Sequence, residues 1–174
     1  MLIIGQPGSG KTTFWINMIN EKSKKTLYKK FDQVHIFSNS LKTIGTNLKL
    51  TEDKLHNGID DLEEVVASVS NTDDQILIIL DDVISDISSN KFFMKLLYNR
   101  RHIAGSISII ISTQVYNRLP LSLRKVATHL ILFNTSNKQE FDSVFRDFIN
   151  MNRDKFDILI DYIFKDPHDF LFLN

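Results

Sequence analysis

The residues with the clearest chemical purpose are Gly5-Gln6-Pro7-Gly8-Ser9-Gly10-Lys11-Thr12, directly after the apolar run Leu2-Ile3-Ile4. Glycines at these positions let successive backbone N–H groups turn inward around an anion. A lysine straight after the last glycine reaches the outer phosphates of a triphosphate, and the threonine beside it offers a hydroxyl to Mg²⁺. The helix opened by this pattern adds partial positive charge at its N-terminus. A plain Gly/Ser turn before a helix is the alternative reading, and it leaves the fixed spacing unexplained. The expectation is that a nucleoside triphosphate is held by Gly5, Gln6, Pro7, Gly8, Ser9, Gly10, Lys11, Thr12 and Thr13.

A matching carboxylate is expected at the end of a buried strand. Ile76 to Leu80 is wholly apolar and runs into Asp81-Asp82. Asp81 suits a metal-ligand role shared with Thr12, because Mg²⁺ favours carboxylate and hydroxyl oxygen and keeps several waters. Asp82 suits the polarisation of an attacking water. An Asp pair after a strand also makes an ordinary turn and helix cap; the phosphate-type loop upstream tips the balance toward chemistry.

Two further features extend the site. Ser108-Ile109-Ile110-Ile111 leads into Ser112-Thr113-Gln114, which puts Gln114 at a strand tip as a γ-phosphate sensor. Ser-Thr-Gln also ends strands with no such role. Arg100-Arg101-His102 precedes that strand, and one of the two arginines fits a finger supplied to a neighbouring subunit, where it would stabilise developing phosphate charge. Cations closing a helix C-terminus explain the same pair equally well.

These groups need elements to position them. Apolar runs rich in Ile, Val and Leu alternate with helical patterns, which predicts a parallel sheet covered by helices. Strands are expected at Leu2–Ile4, Val34–Phe37, Ile76–Leu80, Ile107–Ile111 and His129–Phe133, with an edge strand over Phe170–Leu173. Helices are expected from Lys11 to about Glu21, around Leu62–Val69, and after Asn90. Others should follow Pro120, run over Phe141–Phe148 behind a Ser136 or Asn137 cap, and span Phe156–Ile163. Phe14, Trp15, Met18 and Ile19 should form the buried side of the first helix. Thr43 to Gly58 reads as a long loop. No repeat or linker divides the chain, so a single domain over residues 1–174 is expected.

Composition narrows the function classes. The 21 Lys and Arg balance 21 Asp and Glu, so any nucleic-acid contact must come from local patches or from an assembly. Lys22-Ser23-Lys24-Lys25 with Lys29-Lys30 is one such patch, a solvated loop being its plainer explanation. Lys91, Lys95, Arg118, Arg124 and Lys125 could line a pore. With no cysteine, disulfides and thiolate metal sites are excluded. The five histidines are scattered and read as isolated surface or core residues. No window has the length of a membrane span, and the first apolar run is too short for a signal peptide, so a soluble cytoplasmic protein is expected.

Taken together, the segments GQPGSGKTTF at 5–14, FDQVHIFSNS at 31–40, ILIILDDV at 76–83 and YNRRHIAGSISIIISTQ at 98–114 resemble the genome-packaging ATPases of poxviruses and other large nucleocytoplasmic DNA viruses, a branch of the FtsK–HerA superfamily. The phosphate-loop segment is common to many families; the Arg-His segment before a Thr-Gln strand and the Phe-Asp-x-Val-x-Ile-Phe-Ser strand are the discriminating parts. The resemblance implies an α/β fold, a RecA-like additional-strand P-loop NTPase with a mostly parallel central sheet and helices on both faces. It implies a homo-oligomeric ring, expected to be a hexamer, that hydrolyses ATP with Mg²⁺ and drives double-stranded DNA, gripped without sequence preference, into a capsid. In that setting the protein would work in the host-cell cytoplasm or virus factory, with virion association as a further expectation. The resemblance carries Lys11 and Thr12 as nucleotide ligands, Asp81 as metal ligand, Asp82 as base, Gln114 as sensor, and Arg100 or Arg101 as finger. Many superfamily members have Glu where this chain has Asp82, which shortens that carboxylate's reach. The chain begins almost at its first strand, so an N-terminal portion for capsid or membrane contacts is not expected.

Two other classes compete. Asn137-Lys138-Gln139-Glu140 is similar to a guanine-reading motif of GTP switches, but Glu140 stands where Asp is required. A small-molecule kinase would need a cationic lid, and the 118–125 region has no such pattern. A nucleotide-gated scaffold follows if Asp82 does not serve as a base.

Overall fold

The computed structural model describes residues 1–20, 30–44, 48–69, 72–103 and 107–174, with backbone alone for 100–103. The basic run from Lys22 to Lys29 lies outside the described residues. Contacts divide the chain into two compact units, residues 12–112 and residues 1–11 with 113–174.

In the unit 12–112, four parallel strands pair in the order β3-β2-β4-β5. These are β2 (Gln33–Ser38), β3 (Leu55–Asn57), β4 (Ile76–Asp81) and β5 (Ile107–Thr113, whose last residue belongs to the other unit). All six residues of β4 are buried, which is why Ile76 to Leu80 form a continuous apolar run rather than an alternation before the final Asp81. Each of the five apolar side chains contributes about 1.5–3 kcal/mol by leaving water. Both edges of β4 are taken, by β2 and β5. The register aligns Ser38, Asp81 and Ser112 in one row, with Asn57 beyond Ser38. The C-terminal edge of these strands is therefore polar, where open α/β sheets collect ligands.

Helices α1 (Lys11–Asn20), α2 (Leu41–Ile44), α3 (Leu62–Val69), α4 (Ile84–Ser89) and α5 (Lys91–Ile103) accompany these strands. The apolar stripe Leu62, Val65, Val66 and Val69 is buried as its spacing predicts. The Asn90 carboxamide oxygen accepts from the Phe93 N–H at 2.8 Å, capping α5. On α1 the buried side is Trp15, Ile16 and Ile19, while Phe14 and Met18 are only half-buried.

In the other unit, β1 (Leu2–Ile4) runs parallel to β6 (Leu130–Phe133), and β7 (Phe170–Leu173) runs antiparallel on the far side of β6. Its helices are α6 (Leu121–Val126), α7 (Lys138–Phe148) and α8 (Arg153–Ile163). Asn137, not Ser136, caps α7, its side chain accepting from the Gln139 N–H at 3.0 Å. Arg153 bridges Asp142 and Asp157 at 2.6 and 2.8 Å, tying α7 to α8.

The expected loop at 43–58 is corrected: α2 ends within it, a 3₁₀ turn covers Glu52–Lys54, and β3 follows. A three-residue strand, Leu-His-Asn, is too short to show any periodicity; pairing with Ile36, Phe37 and Ser38 creates it. Helix α4 likewise has little local signal: its six residues carry only Ile84 and Ile87 as apolar positions, and its N-cap, Val83, makes no side-chain cap bond.

Candidate nucleotide site

The loop after β1 has the geometry that its glycines permit. Gly8 and Gly10 hold φ of +77° and +101°, left-handed values that a side chain would strain. The Gln6 carbonyl accepts from the Ser9 N–H at 3.2 Å and from the Lys11 ammonium at 3.0 Å, curling the loop back on itself. Lys11 is 5% exposed, and the Ser9 hydroxyl is buried without a hydrogen-bond partner. A buried, unpaired hydroxyl is costly unless a polar group meets it. A buried ammonium in the same loop fits a phosphate chain as that group.

Thr12 follows Lys11 in the first turn of α1 and is half-buried, whereas Thr13 is exposed. Three residues on, along the same helix face, the Trp15 indole donates to the Asp81 carboxylate at 3.3 Å. Both side chains are buried, at 0% and 3% exposure. Asp81 is thereby tied to α1 three residues beyond Thr12, and both residues offer the oxygen donors that Mg²⁺ takes.

Asp82 is half-exposed and has a φ of +53°, the one positive value outside glycine among the described residues. Its N–H donates to the Ser112 carbonyl at 3.0 Å, so the bend that ends β4 is pinned to β5. Aspartate tolerates this backbone better than most residues, yet such strain persists mainly where function requires it. Gln114 is exposed, one residue beyond Thr113, whose carbonyl accepts from the Gly5 N–H at 3.3 Å. The sensor candidate thus lies next to the start of the phosphate-type loop.

Arg100 and Arg101 fall in the last turn of α5, and their side chains lie outside the described residues. Among the pore candidates, Lys91, Lys95, Arg118 and Lys125 are exposed. Arg124 is committed elsewhere, paired with Asp147 at 2.7 Å and stacked over Tyr116 with 4.9 Å to the ring centre. Burial and the Asp147 hydrogen bond push the Tyr116 phenol above its ordinary pKa.

The guanine-reader alternative loses its residues to structure. Asn137 is a helix cap, and the buried Glu140 carboxylate accepts from the Tyr116 and Asn117 N–H groups at 2.6 and 3.4 Å. The histidines are also not isolated as expected. His35 Nδ1 and His56 Nε2 lie 3.1 Å apart, brought together by the β2–β3 pairing. Among the described residues no cluster of three or more His, Cys, Asp or Glu could hold a metal ion, and no helix is long and apolar enough to cross a membrane.

The lone tryptophan three residues after Thr12 marks a core position in the sequence, but its tie to Asp81 is visible only in the structure. His168, whose Nδ1 lies 3.1 Å from the Ser9 carbonyl, is marked by no local pattern.

Comparisons with known proteins agree with this geometry. The genome packaging NTPase B204 from Sulfolobus turreted icosahedral virus 2, in complex with sulfate, superposes with a TM-score of 0.69 at 15% identity, covering 98% of this chain and 88% of B204. The same protein in complex with AMPPCP gives 0.66 at 16% identity over 98% and 89%. EssC (ATPases 2 and 3) from Geobacillus thermodenitrificans gives 0.56 at 13% identity over 86% of this chain and 34% of that one. These likenesses bear out the expected fold class, a mostly parallel P-loop architecture. No curated protein matches the sequence. The Poxvirus A32 protein family model matches residues 1–165, and the chain belongs to that family, the viral DNA-packaging ATPases that its sequence resembles.

Proposed function

We propose that this chain, acting as one P-loop ATPase domain over residues 1–174, couples ATP hydrolysis to the movement of double-stranded DNA into a capsid. The observation that carries the reading is the loop Gly5–Lys11, with its left-handed glycines, orphaned Ser9 hydroxyl and buried lysine. Gly5 to Thr13 cradle the triphosphate, and Lys11 neutralises charge on the β and γ phosphates. Thr12 and Asp81 would hold Mg²⁺, which offsets phosphate charge when bound. Asp82 takes a proton from the attacking water. Gln114 orients that water or the γ phosphate, and Arg100 or Arg101 reaches a neighbour's site in a homo-oligomeric ring, a hexamer in the preferred form. The exposed Lys91 and Lys95, one turn apart on α5, suit a sequence-independent grip on DNA phosphates. The ring would act in the cytoplasm or virus factory and dock on a capsid component.

The test is phosphate release from ATP, with and without long duplex DNA, alongside the particle mass in solution. Release with water as the sole acceptor, stimulated by duplex and accompanied by a multi-subunit mass, is the expected result. Turnover that needs a small-molecule acceptor would convert the reading to a kinase; no turnover with intact ATP binding would convert it to a scaffold.

A further inference from the structure

After Thr113 the chain leaves β5 through Gln114 and Val115 and enters a 3₁₀ turn over Tyr116–Arg118. Such a turn opens with N–H groups that have no partner inside it. Its N-cap, Val115, makes no side-chain cap bond, so the partner comes from another element. Glu140, in the first turn of α7, accepts from the Tyr116 N–H through Oε2 at 2.6 Å and from the Asn117 N–H through Oε1 at 3.4 Å. The Asn117 carboxamide donates to the Gln139 carbonyl at 3.4 Å, and the Tyr116 phenol donates to Asp147 at 2.8 Å, further along the same helix.

Glu140 is 4% exposed. A carboxylate out of water is costly unless donors meet it, and a backbone N–H bonded to one is held more firmly than in a neutral pair. Only Val115 separates Gln114 from the clamped turn, so the Glu140 bonds restrict where the exposed Gln114 side chain can reach.

The same stretch of chain also holds the phosphate-type loop. The Gln6 carboxamide donates to the Thr135 and Ser136 hydroxyls at 3.2 and 3.0 Å, and the Asn137 N–H donates to the Thr135 hydroxyl at 3.2 Å. Residues 135–140 therefore grip the loop at one end and the turn after Gln114 at the other. Between these ends the Gly5 N–H meets the Thr113 carbonyl at 3.3 Å, one residue before Gln114. All of these groups belong to the unit of residues 1–11 and 113–174.

We propose that Glu140 is a positioning residue for ATP hydrolysis: its two-oxygen clamp on the Tyr116–Asn117 backbone sets where Gln114 stands relative to the phosphate loop. The inference rests on the reading of Gln114 as the group that orients the attacking water or the γ phosphate. Glu140 is spent on the backbone of the turn, so it acts through Gln114 rather than on the reacting atoms. A carboxamide at position 140 has one oxygen to offer, and its NH₂ group would face the second N–H. Glu140→Gln thus removes one of the two anchors while keeping the side chain's size.

The test measures kcat and KM for ATP, with urea midpoints, in the unsubstituted chain, Glu140→Gln, Gln114→Ala and the double variant. Glu140→Gln should lower kcat by roughly 10- to 100-fold with KM changed less than about twofold, because a misplacement of about an ångström slows chemistry on that scale. In the Gln114→Ala background the same substitution should change kcat less than about twofold, while its effect on the urea midpoint stays as large as before. Glu140→Asp, which keeps both oxygens on a shorter stem, should recover part of kcat, and it serves in the same cycle if Glu140→Gln does not fold. An undiminished kcat in a folded Glu140 variant overturns the inference. So does a loss that persists in full beside Gln114→Ala, which would mean that α7 only braces the fold. The two readings fail differently. Full kcat in Gln114→Ala removes the sensor and the inference with it; an impaired Gln114→Ala beside normal Glu140 variants removes the clamp alone.

Discussion

The Trp15 indole N–H donates to the Asp81 carboxylate at 3.3 Å, joining the helix that opens at Lys11 to the last residue of the central strand. Both groups are out of water, so the bond fixes the carboxylate's rotation more firmly than an exposed contact would. An outer partner that orients a metal-binding carboxylate typically influences metal affinity by 10–100-fold. Trp15→Phe keeps the ring and removes the donor. It should cost about 1–3 kcal/mol of stability and raise the Mg²⁺ concentration for half-maximal turnover about tenfold. Denaturant unfolding and a Mg²⁺ titration read the two effects; an unchanged titration would separate Asp81 from the metal.

Asp82 occupies strained backbone at the strand end, and its proposed task is proton removal from water. Asp82→Asn preserves size and tolerance of the left-handed conformation while abolishing basicity. Turnover should fall by roughly 10²–10⁴-fold with nucleotide still bound. Trapped, unhydrolysed ATP recovered from the protein is the expected signature. A variant that cycles at the normal rate would assign the base elsewhere.

His35 gives a pH dependence whose sign is fixed. Burial, then the nearby Lys54 and His56 charges, lower its pKa from 6.5 to about 4, against a weaker opposing pull from Asp53. It also faces the Gln33 carboxamide, and His56 in turn faces Asp61 at 3.5 Å. The unfolded chain therefore takes up a proton before the folded one as pH falls. Stability is complete above about pH 6.5 and declines toward about pH 4. Between about pH 7.5 and pH 5 the loss traceable to His35 should be about 2 kcal/mol. Urea midpoints for the unsubstituted chain and for His35→Gln check this; parallel pH profiles would remove His35 as the cause.

A finger that acts across subunits predicts complementation. The Arg100→Ala/Arg101→Ala double variant should lose roughly 10³-fold or more in turnover, as should Lys11→Ala alone. In a mixed ring, an intact arginine from one variant meets an intact phosphate loop from the other, and part of the activity should return. Absence of rescue, together with a strictly monomeric unsubstituted chain, would rule the ring out.

Much of this molecule could be read from local pattern. Gly8 and Gly10 announce the left-handed turns of the loop after β1, because that backbone geometry is encoded within a few residues. The Ile76–Asp81 strand announces itself because burial on both faces leaves no polar position until its final carboxylate. Other features had no local signature. Leu55–Asn57 becomes a strand only through hydrogen bonds to β2, and the same pairing sets His35 against His56. The Trp15 bond to Asp81 spans 66 residues and the His168 contact with Ser9 spans 159, separations at which periodicity carries no information. Composition and spacing thus determined what chemistry the chain can perform. Tertiary structure decided which side chains hold that chemistry in place, because chain folding alone chooses the partner of a buried polar group.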